Sequence, residues 1–359
     1  MSPGRKSAAG PRTGRPRQAD IARLAGVSQT TVSLVLNGNK AGIAIADDTR
    51  ERVLSAATSL GYVPDPIARR LSHGQNNILG LYTFTATFPT NVQHSYYPFL
   101  VGVEEEAAHQ GYDLLLFTSS STSEAGSQDV LNRIRLADGC LFLGRHVPEE
   151  TMSRFLDDGY PLVYIGRHDE LGTRLPYVGA DYVSASAEVV SRLVELGHRR
   201  LIYVRENDDA PASMDREAGF RAGRIGAKLR PQAAQVVRTD GADIDPDRLR
   251  GWLADGITAI VAEETDTDIA LNAIESAARA ARLRYPDDFS LALLGNRVDR
   301  SAGLPVLSGF SVPRREMGRT AVRSLAGLVA GEPHQENRKI VACQAIAGET
   351  VGPPLRSKS

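Results

Sequence analysis

The chain has 359 residues, of which 42% are apolar and 24% charged, with a formal net charge of −1. That length exceeds one ordinary domain, so two or three folded units with a sizeable core are expected. No stretch approaches the roughly 20 apolar residues of a membrane helix, and the N-terminus lacks the apolar segment of a signal peptide, so a cytoplasmic protein with no membrane partner is expected. The charge is unevenly placed: residues 1–75 hold 11 Lys/Arg against 5 Asp/Glu, and the remainder 31 against 38. A basic head before an acidic body points to a polyanionic partner for the head alone.

Residues 1–17 are rich in Gly, Pro, Ser and Arg and read as a disordered basic tail, because they bury too little apolar area to offset ordering. Three short helices are expected next, over about 18–25, 29–37 and 47–60, in a head domain spanning 18–63. Ile21, Leu24, Val32, Val35, Val53, Leu54 and Leu60 would form its core. Gly26 permits a sharp turn between the first two helices, and Ser28 is a suitable N-cap for the second. This is a helix-turn-helix pattern. With Val32, Val35 and Leu36 turned inward, Gln29, Thr30, Ser33 and Leu34 lie on or beside the exposed face, where short polar side chains can meet base edges in a major groove. A small helical docking module with a solvated face is the alternative.

From Asn77 apolar strand runs such as "ILGLYTF", "DGCLFLG", "PLVYIG", "RRLIYVR" and "TAIVAE" alternate with amphipathic helices. Alternation of that kind predicts an α/β fold with parallel sheets flanked by helices, and about eight such units suggest two lobes. Ligands of open parallel sheets bind beyond the carboxyl ends of the strands, so the cleft between lobes is the expected effector site. Cys140 and Cys343 each sit in an apolar run and read as buried thiols. No Gly-x-Ser-x-Gly elbow is present and the histidines show no metal-ligand spacing, so neither catalysis, metal nor cofactor is expected.

The stretches "DIARLAGVSQTTVSLVLNGNK", "TRERVLSAATSLGYVPDPIARRLSHG" and "NILGLY" closely resemble the head, linker and first core strand of the lac repressor/galactose repressor (LacI/GalR) family of bacterial transcription regulators. "GVEEEAAHQGYDLLL", "LVELGHRRLIYV", "REAGFRAG" and the final "GETVGPP" continue the resemblance over nearly the whole chain after the tail. It implies a helix-turn-helix head, a hinge helix over 64–75 and a two-lobed core like periplasmic sugar-binding proteins. The core would span 76–359, with an N-subdomain over about 76–181 and 312–332 and a C-subdomain over about 182–311 and 333–359. Such proteins bind double-stranded operator DNA as dimers, and a small effector in the cleft shifts operator affinity. The candidate DNA contacts are Ser28, Gln29, Thr30, Thr31, Ser33, Leu34 and Asn37 in the head, with Arg69, Arg70 and Leu71 in the hinge. There Leu71 would wedge into the minor groove and the arginines would neutralise phosphates. Leu34 departs from the Arg carried by many members, which removes a bidentate guanine contact. The loop before the third helix is about three residues longer than usual. Ala46 stands where a capping Ser is common, leaving Asp47 as the candidate cap. No leucine heptad follows "GETVGPPLRSKS", so a homodimer rather than a tetramer is expected.

For the effector the resemblance implicates Arg216, with a structural ion pair as the alternative, and Tyr96 and Tyr97 either stack on a sugar or base face or pack in the core. Arg145, Arg167 and Arg297 occupy strand-end positions, and Gly166 and Arg297 replace carboxylates usual in relatives. Two readings stay open: a positively charged cleft that takes a phosphosugar or sugar acid, or a neutral sugar, with Glu263 and Glu264 offsetting the arginines. A sugar-binding transport protein would share the body but not the basic head.

Overall fold

The computed structural model describes residues 16–36, 43–62, 76–83, 96–118, 133–145, 149–169, 171–297, 304–332 and 338–355. It divides into two compact units between Asn76 and Asn77. The expected tail and hinge, including Arg69, Arg70 and Leu71, and also Asn37, lie outside the described residues.

The first unit contains α1 (Gln18–Ala25), α2 (Gln29–Leu36) and α3 (Asp47–Ser59). Ile21, Val32 and Val53 are wholly buried, one from each helix, and Val35, Ala25 and Ala56 complete the small core. Leu60 packs against this core, but Leu24 and Leu54, expected inside, are 58% and 48% exposed. On α1 the inward stripe runs through Ile21, Ala22 and Ala25, and on α3 through Val53, Ala56 and Ala57. Each displaced leucine sits one residue off its stripe, about 100° around the helix. Small alanines hold the inward positions and let three short helices approach closely. Gly26 ends α1 in the left-handed region at φ +67, a conformation that only glycine adopts without penalty. Ser28 caps α2, its Oγ accepting from the Thr31 amide at 3.1 Å. The expected cap of α3 differs: Ala46 holds the N-cap position with no side-chain bond, and Asp47 lies inside the first turn with Asp48. There both carboxylates favour the positive end of the helix dipole.

The second unit carries two six-stranded sheets. Its elements in chain order are β1 (Ile78–Thr83), α4 (Tyr97–His109), β2 (Asp113–Thr118), β3 (Gly139–Leu143), α5 (Glu149–Asp157), β4 (Leu162–Ile165), β5 (Tyr177–Ala180) and α6 (Tyr182–Glu195). Next come β6 (Leu201–Glu206), α7 (Pro211–Gly226), β7 (Ala234–Thr239), α8 (Pro246–Ala254), β8 (Ala259–Glu263), α9 (Ile269–Ala281), β9 (Ser290–Leu294) and β10 (Ser308–Ser311). The last are α10 (Arg314–Val329), β11 (Arg338–Val341) and β12 (Gln344–Ile346). The first sheet has the order β11-β5-β4-β3-β1-β2 and is parallel throughout; the second, β12-β10-β9-β8-β6-β7, is parallel except for β12 against β10. The central strands β3, β4, β8 and β9 are buried along their whole length, as a sheet covered on both faces requires.

The chain passes between lobes more than once. Helix α10 returns to the first lobe, where Gly102 of α4 and Gly318 of α10 allow backbone contact: a Cβ at Gly102 would lie 1.9 Å from the Arg315 carbonyl oxygen and one at Gly318 2.5 Å from that of Phe99. Residues 333–359 are expected in the second lobe. Strand β11 instead pairs with β5 of the first sheet, Arg338 opposite Tyr177 and Val341 opposite Ala180. The edge of β5 offers unpaired backbone groups that a third lobe-crossing segment can satisfy. Cys140 is buried and Cys343 half-buried, and both are free thiols.

Candidate functional site

In the head, α2 presents Gln29 and Thr30 to solvent, while Thr31, Ser33 and Leu34 are half-buried at the margin of the same face. The hydroxyls of Ser28 and Thr31 are 2.8 Å apart and engaged in the cap. Gln29 and Thr30 are therefore the side chains best placed to reach base edges, and Ser28 and Thr31 hold the start of the helix rigid. A helix N-terminus with exposed backbone amides also suits a phosphate.

In the second unit, a cleft enclosing about 770 Å³ of space open to solvent lies beyond the carboxyl ends of both sheets' strands. Its walls come from the turns after β3, β4 and β8, the first turns of α6 and α7, and the starts of α4 and α10. This is where parallel sheets offer loop ends and helix N-termini together. Tyr96, Arg145, Arg167 and Arg216, all expected there, line it. Three other expected residues do not. Tyr97 is 52% exposed on the surface of α4. Arg297 pairs with Glu275 of α9 at 2.5 Å, which draws its guanidinium to that helix. Glu263 is wholly buried behind the wall, where its Oε2 accepts from the Glu206 amide at 3.0 Å. Burial raises its pKa, against the pull of Arg216 and a Ser213 hydrogen bond.

The wall positions belong instead to Glu264 and Arg314. Arg314, the first residue of α10, donates from one Nη to both Glu264 oxygens at 2.6 and 2.7 Å and from the other to Asn296 Oδ1 at 3.2 Å. Arg216 donates to Glu264 Oε2 at 3.3 Å and from Nε to the Leu294 carbonyl at 2.7 Å, and its guanidinium lies 4.1 Å above the Tyr182 ring. All three charged groups are almost inaccessible, and two guanidiniums share one carboxylate. Closer to the mouth, first-lobe arginines reach second-lobe acids: Arg145 meets Asp208 at 2.6 Å and Asp266 at 2.7 Å, and Arg167 meets Asp215 at 2.7 Å. These pairs tie the lobes across the opening. Arg314 is visible in the sequence only as one of two adjacent arginines after "FSVP"; its place at the exit of a core strand is the signal that could have marked it.

Residues 19–65 match the family described as bacterial regulatory proteins, lacI family, and residues 190–351 match the periplasmic binding protein-like domain. The HTH-type transcriptional regulator CelR of Thermobifida fusca is 26% identical over 340 residues, 94% of this chain and 98% of that one. The chain belongs to the lacI family of bacterial regulatory proteins. Solved structures agree in fold: a lac repressor dimer bound to operator and the anti-inducer ONPF has a TM-score of 0.73 at 19% identity, covering 94% of this chain and all of that one. A CelR–cellobiose complex has a TM-score of 0.64 at 24% identity with the same coverage. This lacI-family protein is thus a DNA-binding transcriptional regulator, from a family of regulators and not of enzymes. Among the described residues no helix is long and apolar enough to cross a membrane.

Asp215, paired with Arg167 at the cleft mouth, is a residue of this lacI-family protein from which a pH dependence is expected. Burial raises its pKa to about 6, against the pull of Arg167 and Arg216 and with Asp169 and Asp181 adding to the rise. A carboxyl whose folded pKa lies above its unfolded value destabilises the fold when ionised, fully so above pH 6 and progressively less as pH falls toward 4. Asp215→Asn is therefore expected to be more stable than the wild type at pH 7.5, by about 3 kcal/mol. The advantage shrinks between pH 6 and 4, as urea unfolding at several pH values would show; a constant difference would mean that Asp215 is already ionised throughout.

Proposed function

We propose that this protein controls transcription, most simply as a repressor, by binding a pseudopalindromic operator as a cytoplasmic homodimer whose affinity is set by a sugar or sugar derivative bound between the lobes of the core. The observation that carries the reading is the pairing of an α2 helix exposing Gln29 and Thr30 with a separate two-lobed unit whose cleft, lined by four arginines, lies at the strand carboxyl ends. The name of one relative's complex, CelR–cellobiose, supports a sugar as the ligand class. Arg69 and Arg70 would neutralise phosphates beside the head, and Leu71 would enter the minor groove at the dimer centre. Leu34 offers only apolar contact, such as to a thymine methyl, so the operator would differ from those of relatives carrying Arg there.

Sheared genomic DNA retained by the purified protein and then sequenced tests this directly. A shared palindrome is expected, and no enrichment at moderate salt would overturn the reading. Gln29→Ala should weaken the selected site by about 1–3 kcal/mol while leaving nonspecific binding unchanged. Leu71→Ala should likewise weaken the selected site far more than random DNA; equal losses on both would remove the wedge role.

A further inference from the structure

Building on the ligand-binding role of the cleft, we infer that its ligand carries an acidic oxygen group, a carboxylate or a phosphate, seated on Arg216 and Arg314. A guanidinium is donor-only, with five N–H groups in a fixed fork. At the cleft floor two such forks, 3% and 6% exposed, face a single carboxylate. Glu264 already accepts three of their N–H groups, so it has little left to offer a ligand. Arg216 spends Nε on Leu294 and one Nη on Glu264, and its other Nη is engaged by none of the described residues. At the mouth the Nε atoms of Arg145 and Arg167 are buried and without hydrogen-bond partners among the described residues.

The acceptors tell the same story from the other side. Asp266 and Asp215 are ion-paired with those arginines, and Glu263 stands behind the wall with one oxygen on a backbone amide. The capacity that remains is therefore mainly N–H. A neutral sugar hydroxyl must both donate and accept, and it finds few free acceptors here. A carboxylate or phosphate only accepts, which suits the remaining Nη of Arg216 and the positive charge of Arg314 beside it.

The experiment uses full-length protein and a metabolite extract of the source cells, split on a strong anion-exchange resin into unretained and retained fractions. The retained fraction is expected to raise the melting temperature and to change affinity for the selected operator fragment; phosphatase treatment abolishes the effect for a phosphate and spares it for a carboxylate. Arg314→Gln should weaken the response at least about tenfold. Should that variant not fold, Arg216→Lys, which keeps the charge but not the fork, should do the same. Activity confined to the unretained fraction, or equal in both, overturns the acidic ligand while leaving ligand control intact. Operator binding that responds to neither fraction removes ligand control itself, and this inference with it.

Discussion

Glu264→Ala is expected to cost the two-lobed unit about 3–5 kcal/mol, because it removes the carboxylate that both buried guanidiniums bond, leaving Arg314 without an acid partner and Arg216 with only the electrostatic pull of Glu263. Glu264 is 2% exposed and its neighbours cannot close over the gap with another acid: Asn296 supplies a neutral oxygen to Arg314, and Glu263 is held by the Glu206 amide. Gly295 also belongs to the arrangement, since a Cβ there would lie 2.5 Å from Glu264 Cβ. Urea unfolding of the full chain, followed by the fluorescence of its single tryptophan, Trp252 in α8, gives the measurement. Glu264→Gln should lose less, because the amide oxygen still accepts one guanidinium bond. A loss below about 1 kcal/mol for the alanine variant would mean that the arginines are neutralised by other means than this carboxylate.

Val32→Asp is expected to abolish specific operator binding while leaving the second unit's unfolding midpoint unchanged. Val32 is wholly buried against Ile21 and Val53 in a core of only a few side chains. A domain of this size has little stability in reserve, and placing an unpaired carboxylate in its centre costs as much as the fold is worth. The head would unfold, α2 would cease to present Gln29 and Thr30, and affinity for the selected site would fall by about a thousandfold, to the nonspecific level. The two-lobed unit has its own cores, and Val32, Ile21 and Val53 are not among their residues. Fluorescence anisotropy on the operator fragment, with circular dichroism for the helices, reports both halves. Retention of operator affinity within tenfold would show that α2 reads DNA without the three-helix core. Thr30→Ala is the contrast: full helicity with weakened discrimination.

Much of the architecture was legible because it is written in short-range pattern. The apolar spacing of α1 and α2, the turn at Gly26 and the cap at Ser28 each depend on residues within one helical turn, and the strand-helix alternation after Asn77 needs only runs of apolar residues bounded by polar ones. Inside that frame some faces were misread. Leu24 and Leu54 look like core residues by hydropathy, but alanines one position away take the inward stripes, since helix rotation follows from packing against neighbours.

The composition of the cleft lay beyond local pattern. Arg145 finds Asp266 121 residues further on, and Arg314 finds Glu264 50 residues back; nothing within a few positions of either arginine marks its partner. Arg297, with the same strand-end position, was drawn to Glu275 on α9 instead. Glu263 and Glu264 are adjacent, and the pleat sends one behind the wall and the other into it. Strand β11 joined the first sheet because β5 had an open edge to fill. The kind of fold, the exposed face of α2 and the region of the cleft therefore follow from periodicity along the chain, whereas the charges lining the cleft follow from strand order and lobe crossing, which bring distant residues within hydrogen-bond reach.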